Sequence, residues 1–280
     1  MMVVRINGGL GNQLFQYAFG YYLKKTKNVE LKLDSNTFLR NKAINYRLDS
    51  FNVDDKFVTK KELGFYGVKY GLFKKSINNK ERYYRENMSY LYDKKIENIK
   101  DNVYFDGFWQ CEDYFKRYRS EIIEEFSLKK KSRIFENIRS KIIESNSISI
   151  HVRRGDYLIK QNYNAFGLCD IDYYIKSISC IDCKITEPYY FCFSDDSSWL
   201  NESIVKNNSN YLNVSKFGLK PEEEMILMSL CKHNIVANST FSWWGAWLNK
   251  NNKKIVIAPE KWRNDGISVG RLLPVNWIKI

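Results

Sequence analysis

The feature that most restricts the possible folds of this chain is a set of four short apolar segments in its second half. Each has the length and uniform hydrophobicity of a strand buried on both faces of a sheet. The segments cover residues 147–152, 189–194, 234–237 and 254–258. Helical periodicity follows near Asp172, Ser197, Pro221 and Ser242. Because parallel strands need helical crossovers, this alternation predicts an α/β unit with a parallel sheet.

The N-terminal half begins with a similar pattern. Residues 2–6 are typical of a strand, residues 7–13 form a glycine-rich loop, and residues 29–33 are typical of a second strand. Between the loop and the second strand, apolar and aromatic residues recur at helical spacing: Leu14, Tyr17, Ala18, Tyr21 and Tyr22. The order strand, loop, helix, strand predicts a βαβ unit.

The remainder of that half is less regular. Residues 34–103 are polar with weak periodicity, which predicts short helices and loops. Further elements are predicted over residues 103–109 (a strand), 112–126 and 133–145 (helices). Since the regular strand pattern starts after residue 146, we predict two domains, over residues 1–146 and 147–280.

Composition indicates a globular protein without a membrane anchor. Aromatic residues make up 16% of the chain, far more than a disordered protein carries. No segment has the ~20 apolar residues that cross a bilayer, and the N-terminus has no basic leader before an apolar region. We therefore expect a cytoplasmic protein that is not secreted through a cleaved signal.

The formal charge of +13 is unevenly distributed. Residues 1–150 carry 29 basic and 19 acidic side chains, whereas residues 151–280 carry 16 and 13. Such an excess suits nucleic acid, a phospholipid surface or a phosphorylated substrate. The 32 Lys outnumber the 13 Arg, which favours a solvated surface for most of them. No nucleic-acid-binding motif supports the first alternative, and we expect no nucleic-acid partner.

The six cysteines are interpreted as free thiols, because a chain of this length forms its own core without disulfides. Cys180 and Cys183 form a single CxxC with no second pair. We favour helix packing for them over a metal or redox site.

Polar clusters follow the first three strands of the second half. They are residues 151–157 (HVRRGDY), 194–196 (SDD) and 238–245 (NSTFSWWG). Ligands of open parallel sheets bind outside the carboxyl ends of the strands. The three clusters are therefore expected to form one ligand site.

Arg153 and Arg154 indicate an anionic ligand. Two adjacent arginines are costly to bury unless they meet anions, and a guanidinium matches phosphate oxygens. A diphosphate fits this pair best. The alternative is that one of the two arginines pairs with Asp156.

Ser239, Thr240 and Ser242 support the same ligand. They lie where a strand turns into a helix, so that hydroxyls and backbone N–H groups can hold phosphate oxygens at the positive end of the helix. Ordinary N-capping is the alternative.

Asp195 and Asp196 would repel a diphosphate, which places them elsewhere on the ligand. A carboxylate can accept hydrogen bonds from the N1–H and N2–H groups of guanine. Alternatively, one of the two caps the helix that follows.

No metal is expected. Asp170 and Asp172 form a DxD, but Asp172 precedes a helical segment as a cap would, and two arginines are available to neutralise a diphosphate. His151 and His233 lack the further ligands of a zinc site.

Four blocks, in the same order along the chain, resemble the bacterial alpha-1,2-fucosyltransferases of glycosyltransferase family 11. They are residues 8–16 (GGLGNQLFQ), 151–157, 193–196 (FSDD) and 238–245. The resemblance implies a GT-B architecture, in which two Rossmann-like domains face across a cleft. The C-terminal domain then holds GDP-fucose, and the N-terminal domain presents the acceptor.

The resemblance also implies the reaction. L-fucose would pass with inversion, and without a metal or other cofactor, from GDP-β-L-fucose to the 2-hydroxyl of a terminal β-galactoside. The glycan would be a lipopolysaccharide O-antigen, a capsule or a similar polymer. The alternatives are a GT-B transferase with another nucleotide sugar or another target position and, more remotely, a basic nucleic-acid-binding protein.

Roles for the site residues follow from the same resemblance. Arg153 would contact the β-phosphate and stabilise the leaving group. Arg154 would anchor the cluster or the nucleotide, His151 would touch the guanosine, and Asp195 would read the guanine edge. The remaining donor contacts would come from Asn238, Ser239, Thr240 and Phe241.

The N-terminal glycine loop would contribute from the other domain. Gly9 and Gly11 would allow close approach of the donor, and Asn12 would reach the fucose and the diphosphate. Asp156 is the candidate base, although it could instead orient Arg153, and a dissociative transition state could dispense with a strong base. With its basic N-terminal half, the enzyme could contact the anionic inner face of the cytoplasmic membrane.

Overall fold

The computed structural model describes residues 1–40, 44–70, 75–87, 90–206 and 208–280. Contacts divide the chain into two compact units. Unit 1 comprises residues Met1–Ser127 and Gly270–Leu272, and unit 2 comprises Leu128–Val269 and Leu273–Ile280. Each unit contains a parallel sheet with helices, which confirms the predicted α/β class. That the two units face across a cleft stays a prediction.

The strands of unit 1 are β1 (Met2–Arg5), β2 (Leu31–Asp34), β3 (Val68–Tyr70), β4 (Lys75–Ile77), β5 (Tyr83–Arg85) and β6 (Tyr104–Asp106). Its parallel sheet has the strand order β2-β1-β6-β5. The α-helices are α1 (Leu10–Lys27), α2 (Asn36–Arg40), α3 (Lys60–Phe65) and α4 (Arg119–Glu125). Short 3₁₀ turns cover Leu48–Ser50, Lys94–Asn98, Glu112–Tyr114 and Lys116–Tyr118. The predicted βαβ start is confirmed as β1-α1-β2.

Helix α1 is buried along most of its length, including two polar side chains. Gln13 and Gln16 are both fully buried. The Gln16 amide accepts from Asn7 N at 2.9 Å and donates to Gly107 O at 3.1 Å. The Gln13 amide donates to Gly8 O at 2.9 Å. The two glutamines of the GGLGNQLFQ block therefore fix the glycine loop to the helix and to the loop after β6.

Replacing Gln16 should destabilise the protein. In Gln16→Leu the partly buried N–H of Asn7 and the partly buried carbonyl of Gly107 lose their partner, at a cost of about 1 kcal/mol for each group. A lowered urea midpoint measures this loss. Gln161→Leu, at an exposed position, is the matched control. An unchanged midpoint for Gln16→Leu would show that the amide does not support the loop.

The expectation for residues 34–103 is only partly met. Short helices are present, but so are an antiparallel pair of β3 with β4 and the strand β5, which pairs in parallel with β6. Strands of three residues are too short to show an alternating pattern in sequence. Residues 41–43, 71–74 and 88–89 of this stretch lie outside the described residues.

The helix predicted over 112–126 is wrong in its first half. Glu112–Tyr114 and Lys116–Tyr118 are 3₁₀ turns, and the α-helix begins only at Arg119. Phe115 interrupts helical geometry with φ −123° because its buried ring packs into the core, 6.0 Å from that of Phe15.

The strands of unit 2 are β7 (Asn146–Val152), β8 (Pro188–Ser194), β9 (Tyr211–Asn213), β10 (His233–Ile235), β11 (Val256–Ala258) and β12 (Ile278–Lys279). They form one sheet in the order β12-β11-β10-β7-β8-β9, again with all neighbours parallel. The α-helices are α5 (Arg133–Glu144), α6 (Lys160–Phe166), α7 (Ile171–Asp182), α8 (Ser197–Leu200), α9 (Pro221–Leu230) and α10 (Thr240–Trp247). Asp156–Leu158 and Val214–Phe217 are 3₁₀ turns, and Asn201–Val205 is π-helical.

This strand order is that of the Rossmann fold. The chain builds β7, β8 and β9 outward in one direction, then returns to place β10, β11 and β12 on the other side of β7. The direction reverses between β7 and β10, and ligands of such sheets bind at this switch point.

The division between the units falls after Ser127, not at the predicted residue 146. Helix α5 belongs to unit 2, where Ser132 N donates to Glu223 Oε1 at 2.7 Å. Local periodicity identifies α5 as a helix but does not reveal which sheet it covers.

A short C-terminal segment also belongs to unit 1, which the sequence did not predict. Arg271 N donates to Tyr90 O at 2.8 Å, and the Arg271 guanidinium pairs with Asp113 at 2.8 Å. In the part of the chain that the structure describes, no helix is long and apolar enough to cross a bilayer.

Candidate active site

The switch point of unit 2 brings together the first and third polar clusters of the sequence. Strand β7 ends at Val152, directly before Arg153 and Arg154, and strand β10 leads into Asn238 and Ser239. The two strands are hydrogen-bonded neighbours. The predicted convergence of these clusters at one end of the sheet is therefore seen in the fold.

Arg153 lies between two carboxylates. Its guanidinium pairs with Asp156 Oδ1 at 2.6 Å and with Asp195 Oδ2 at 2.9 Å. The same guanidinium lies 5.5 Å from the centre of the Tyr157 ring. These contacts fix the position of a cation that remains partly exposed to ligands.

Arg154 is held by a different carboxylate and by an aromatic ring. Its Nε donates to Asp196 Oδ2 at 3.1 Å, and its guanidinium lies 4.4 Å from the ring centre of Trp199. Its backbone N–H donates to Asp195 Oδ1 at 2.8 Å. Of the two arginines, only Arg153 pairs with Asp156 among the described contacts.

Asp195 and Asp196 have different roles in the folded chain. Both carboxylate oxygens of Asp195 accept from the arginine segment. Asp196 Oδ1 accepts from Trp199 N at 3.1 Å, so Asp196 caps helix α8. This is the alternative that the sequence analysis left open for one of the pair.

Gly155 makes room for Asp195. A Cβ atom at position 155 would lie 2.6 Å from Asp195 Oδ2, well inside van der Waals contact. Any side chain at this position would displace the carboxylate that holds Arg153. The glycine of the HVRRGDY block is therefore required by packing.

Helix α10 begins at the switch point. Ser239 is its N-cap, and the Ser239 hydroxyl accepts from Phe241 N at 3.3 Å. Thr240 is the first helical residue. The N-capping alternative thus holds for Ser239, and the positive end of the helix still faces the carboxyl end of the sheet.

Asn238 is buried at the start of α10, where it is 2% exposed. Its contact with the donor stays a prediction. Its Nδ2 donates to Phe166 O at 2.9 Å, and its Oδ1 accepts from the Cys169 thiol at 3.5 Å. Both polar atoms of the Asn238 side chain therefore form hydrogen bonds within unit 2. These bonds connect the start of α10 to the end of α6 and to Cys169.

His151 is buried and neutral. Its ring centre lies 5.2 Å from that of Phe241, and burial lowers the pKa of His151 to about 3. In the described residues its Nδ1 has no hydrogen-bond partner. A buried polar atom without a partner beside an aromatic ring is consistent with a ligand contact.

Glu224 was missed by sequence reasoning. It lies in the first turn of α9, and burial together with the nearby Asp195 raises the pKa of Glu224 to about 7. No ion pair of Glu224 occurs among the described residues. The run Glu222-Glu223-Glu224 was visible in the sequence, but nothing local indicated that its third member approaches Asp195.

The raised pKa of Glu224 makes a prediction about stability. Because folded Glu224 holds its proton to about pH 7 and the unfolded side chain releases it near 4.5, stability should fall as pH rises between these values. Glu224→Gln should remove this part of the fall, as measured by urea unfolding from pH 5 to 8. Glu144→Gln, at an exposed carboxylate, should keep the wild-type slope. Parallel slopes for wild type and Glu224→Gln would contradict the assignment.

The remaining predicted residues lie in unit 1. An added Cβ at Gly9 would meet no atom within 4 Å, whereas Gly8 has φ +79° and an added Cβ 2.8 Å from Asn12 Nδ2. Asn12 Oδ1 accepts from Gln110 Nε2 at 2.8 Å. Gly11 is buried within α1. In this loop Gly8 therefore has the strained backbone conformation, whereas Gly9 has free space beside its Cα atom.

The DxD segment caps a helix, but the capping residue is Asp170 and not Asp172, the residue expected from the sequence. Asp170 Oδ1 accepts from Tyr173 N at 2.8 Å and is the N-cap of α7, while Asp172 lies in the first turn. Within the described ranges, no group of three or more His, Cys, Asp or Glu side chains is arranged to hold a metal ion. All six cysteines are free, as predicted.

Comparison with known proteins is consistent with these features. The family model for glycosyl transferase family 11 matches residues 1–280. The chain is 36% identical to an alpha-1,2-colitosyltransferase of Escherichia coli, over all of this chain and 99% of the relative. It is 33% identical to the O-antigen biosynthesis glycosyltransferase WbnK of Escherichia coli, over 98% and 99% of the two chains.

A more distant similarity covers about half the chain. The galactoside 2-alpha-L-fucosyltransferase Sec1 of Mus musculus is 25% identical over 52% of this chain and 42% of its own length. The match of the family model over the whole length, together with the two full-length bacterial relatives, shows that the chain belongs to glycosyltransferase family 11.

Proposed function

We propose that this glycosyltransferase transfers L-fucose from GDP-β-L-fucose to the 2-hydroxyl of a terminal β-galactoside in a bacterial surface glycan. The observation that carries the proposal is the fixed Arg153 cation at the switch point of a Rossmann sheet, in a chain of family 11. The alpha-1,2 linkage in the name of one relative and the O-antigen in that of another support the linkage and the glycan class.

In the proposed reaction, charge develops on the leaving group. The acceptor oxygen attacks the anomeric carbon from the face opposite GDP, and the bond from that carbon to the β-phosphate oxygen breaks. GDP leaves with the bonding electrons. Arg153, positioned by Asp156 and Asp195, stabilises the negative charge on the β-phosphate. Ser239, Thr240 and the first N–H groups of α10 hold the other phosphate oxygens.

Asp156 is proposed to act mainly by positioning Arg153. Its Oδ1 lies 2.6 Å from the guanidinium, so the carboxylate is already engaged in a charge-assisted contact with Arg153. Leaving-group stabilisation then carries most of the rate, and the acceptor proton leaves late, to a water molecule or to the second oxygen of Asp156. Arg154 is proposed to anchor the cluster through Asp196 and Trp199.

The guanine edge is proposed to meet Asp195 together with Glu224. Each Asp195 oxygen accepts one hydrogen bond, from Arg153 or from the backbone of Arg154, and keeps a second lone pair for guanine. Glu224 lies close to Asp195, in the first turn of α9. His151 and Phe241 are proposed to contact the guanosine, and Gly9, Gly11 and Asn12 the fucose and the diphosphate.

A donor screen tests the proposal. Purified protein is incubated with lactose and GDP-fucose, UDP-galactose or CMP-sialic acid, with and without EDTA. We expect GDP release and a fucosylated product, unchanged by EDTA because Arg153 and the helix terminus neutralise the diphosphate. Absence of GDP release from GDP-fucose across a panel of β-galactosides would overturn the proposal.

Colitose is the second candidate sugar, because a relative 36% identical over the whole chain is named for its transfer. Colitose is fucose without its 3-hydroxyl group. Competition between GDP-fucose and GDP-colitose in one reaction decides between them. A preference for GDP-colitose would change the donor while leaving the roles of Arg153 and Glu224 intact.

We also propose that the enzyme works in the cytoplasm, at the inner face of the membrane. The charge of residues 1–150, 29 basic against 19 acidic side chains, suits contact with anionic lipid. Co-sedimentation with vesicles should increase with their anionic lipid content and decrease with salt. Sedimentation that is independent of lipid charge would contradict this.

A further inference from the structure

Unit 2 contains a large cavity that the proposed chemistry does not use. It has a volume of about 830 Å³, within the range of ligand sites. Arg154, Trp199, Lys206 and Lys261 are among its lining residues, whereas Arg153, His151 and Glu224 are not. Of the residues assigned to the donor site, the lining includes Arg154, which anchors the cluster through Asp196 and Trp199. The cavity therefore adjoins the donor site but is not lined by Arg153 or His151.

A second cavity of about 290 Å³ lies beside the first. The two share part of their lining: Leu168, Cys169, Asp170, Lys261 and Asn264. Their volumes, about 830 Å³ and about 290 Å³, give room for more than one sugar ring. We refer to the two cavities together as the α6 groove, because Tyr163 and Phe166 of α6 line it.

The charges of the α6 groove are mixed. Arg154 is already paired with Asp196. Lys176, Lys206 and Lys261 have no carboxylate partner in the part of the chain that the structure describes. Asp170, Asp172 and Glu202 supply three negative charges. A diphosphate or an acidic lipid head group would meet these carboxylates. A neutral polyhydroxyl ligand can accept from the lysines and donate to the carboxylates.

Aromatic side chains complete the pattern. Tyr163 is 48% exposed, and Trp199 is partly exposed with Arg154 on its ring. Exposed aromatic rings at a polar groove present flat apolar faces, which suit the C–H faces of pyranose rings. Phe166 adds a third ring in the smaller cavity, stacked on Tyr157 at 5.1 Å.

The groove is held in shape by contacts between distant segments. Asn264 N donates to Ala165 O at 2.9 Å, and Asn264 Nδ2 donates to Tyr163 O at 3.3 Å. Gly167 has φ +68°, and a Cβ there would lie 2.4 Å from Asn264 Nδ2. On the opposite side, the π-helical segment ends at Lys206, which has φ +47°. Such strained positions cluster at functional sites.

From these observations we infer that the α6 groove is a glycan-binding subsite for neutral hexopyranose units. It holds sugars of the acceptor or product glycan that lie beyond the reacting galactose. The inference rests on the proposed function for the identity of the glycan. It assigns Tyr163, Glu202 and Lys261 to substrate length selection rather than to the transfer step.

The first test compares acceptors of different length. Wild type is assayed with GDP-fucose and either N-acetyllactosamine or the tetrasaccharide lacto-N-neotetraose, and kcat/KM is measured for each. We expect the tetrasaccharide to be preferred about tenfold, the scale of one aromatic contact with its hydrogen bonds. Tyr163→Ala and Glu202→Gln should reduce this ratio towards one by raising the KM for the tetrasaccharide.

The control variant makes the same kind of truncation at a residue outside the groove. Phe217→Ala truncates an aromatic side chain that is 43% exposed and does not line either cavity, so the ratio should stay at the wild-type value. Equal kcat/KM for both acceptors in wild type, or an equal ratio in wild type and both groove variants, would overturn the inference. The transfer of fucose to the disaccharide would stand in that case.

A binding measurement separates the inference from the proposed function. Saturation-transfer NMR with lacto-N-neotetraose needs no donor and no turnover. Signal from the rings remote from the terminal galactose should be present with wild type and with Phe217→Ala, and lost with Tyr163→Ala. If turnover fails with every donor but this pattern holds, the subsite stands alone; if the signal is the same for all three proteins, the subsite is refuted.

Discussion

Arg153→Ala is expected to lower kcat for fucose transfer by about 100-fold to 1,000-fold, equivalent to about 3 kcal/mol or more of transition-state stabilisation. The physical reason is that the guanidinium is held in place before reaction by Asp156 at 2.6 Å and by Asp195 at 2.9 Å. No reorganisation is then needed when charge builds on the β-phosphate. Initial rates of GDP release at saturating donor and acceptor measure the effect.

A matched control distinguishes the role of Arg153 from general charge. Arg139→Ala removes a partly exposed arginine of the same unit, whose guanidinium pairs with Glu136 at 3.5 Å. It should keep the wild-type rate. Arg153→Lys keeps the charge but cannot contact both carboxylates and a phosphate with one planar group, so it should recover only a small part of the rate. Near-normal turnover of Arg153→Ala would refute its assigned role.

Trp243→Ala is expected to reduce the free energy of unfolding by about 3–5 kcal/mol. Trp243 is fully buried in α10. Its ring lies 5.0 Å from that of Trp244, 5.9 Å from Trp247 and 5.8 Å from Trp277. Truncation leaves a cavity among rigid rings that cannot close around it. Against a typical total of about 5–15 kcal/mol, this loss is at least about a fifth of the stability and, at the low end of the range, nearly all of it.

The midpoint of urea unfolding measures this loss. Ile175→Ala, at a side chain that is 54% exposed on α7, should change stability by about 0.5 kcal/mol or less. GDP binding of the folded fraction of Trp243→Ala should also weaken, because the ring cluster sets the position of the α10 N-terminus. A loss below about 1 kcal/mol would mean that the neighbouring rings repack.

The elements with strong local patterns were predicted well. The strands at residues 147–152 and 189–194, the helix at 133–145 and the βαβ start all follow from periodicity, and their bounds shift by only a few residues. Strand β5 was missed because three residues carry no periodic signal. The split of residues 112–126 was missed because it results from the packing of Phe115 in the core.

The candidate site was predicted in outline. The positions of Arg153 and Ser239 at strand ends follow from the sheet pattern alone. Their partners do not follow from it. Asp156 and Asp195 were both visible as carboxylates, but their convergence on one guanidinium depends on the pairing of β7 with β8, which no local pattern encodes. The structural use of Asn238 likewise depends on α6 lying beside it.

The sequence by itself determined the α/β class, the succession of the main strands along the chain and the position of Arg153 and Arg154 at the end of a strand of the C-terminal sheet. These depend on hydrophobic period and on residue types at strand ends, which are properties of neighbouring positions. Only the tertiary structure decided that Asp195 holds Arg153, that Glu224 lies close to Asp195, and that Gly270–Leu272 belongs to unit 1. These residues are far apart in the chain, and folding is what brings them close together.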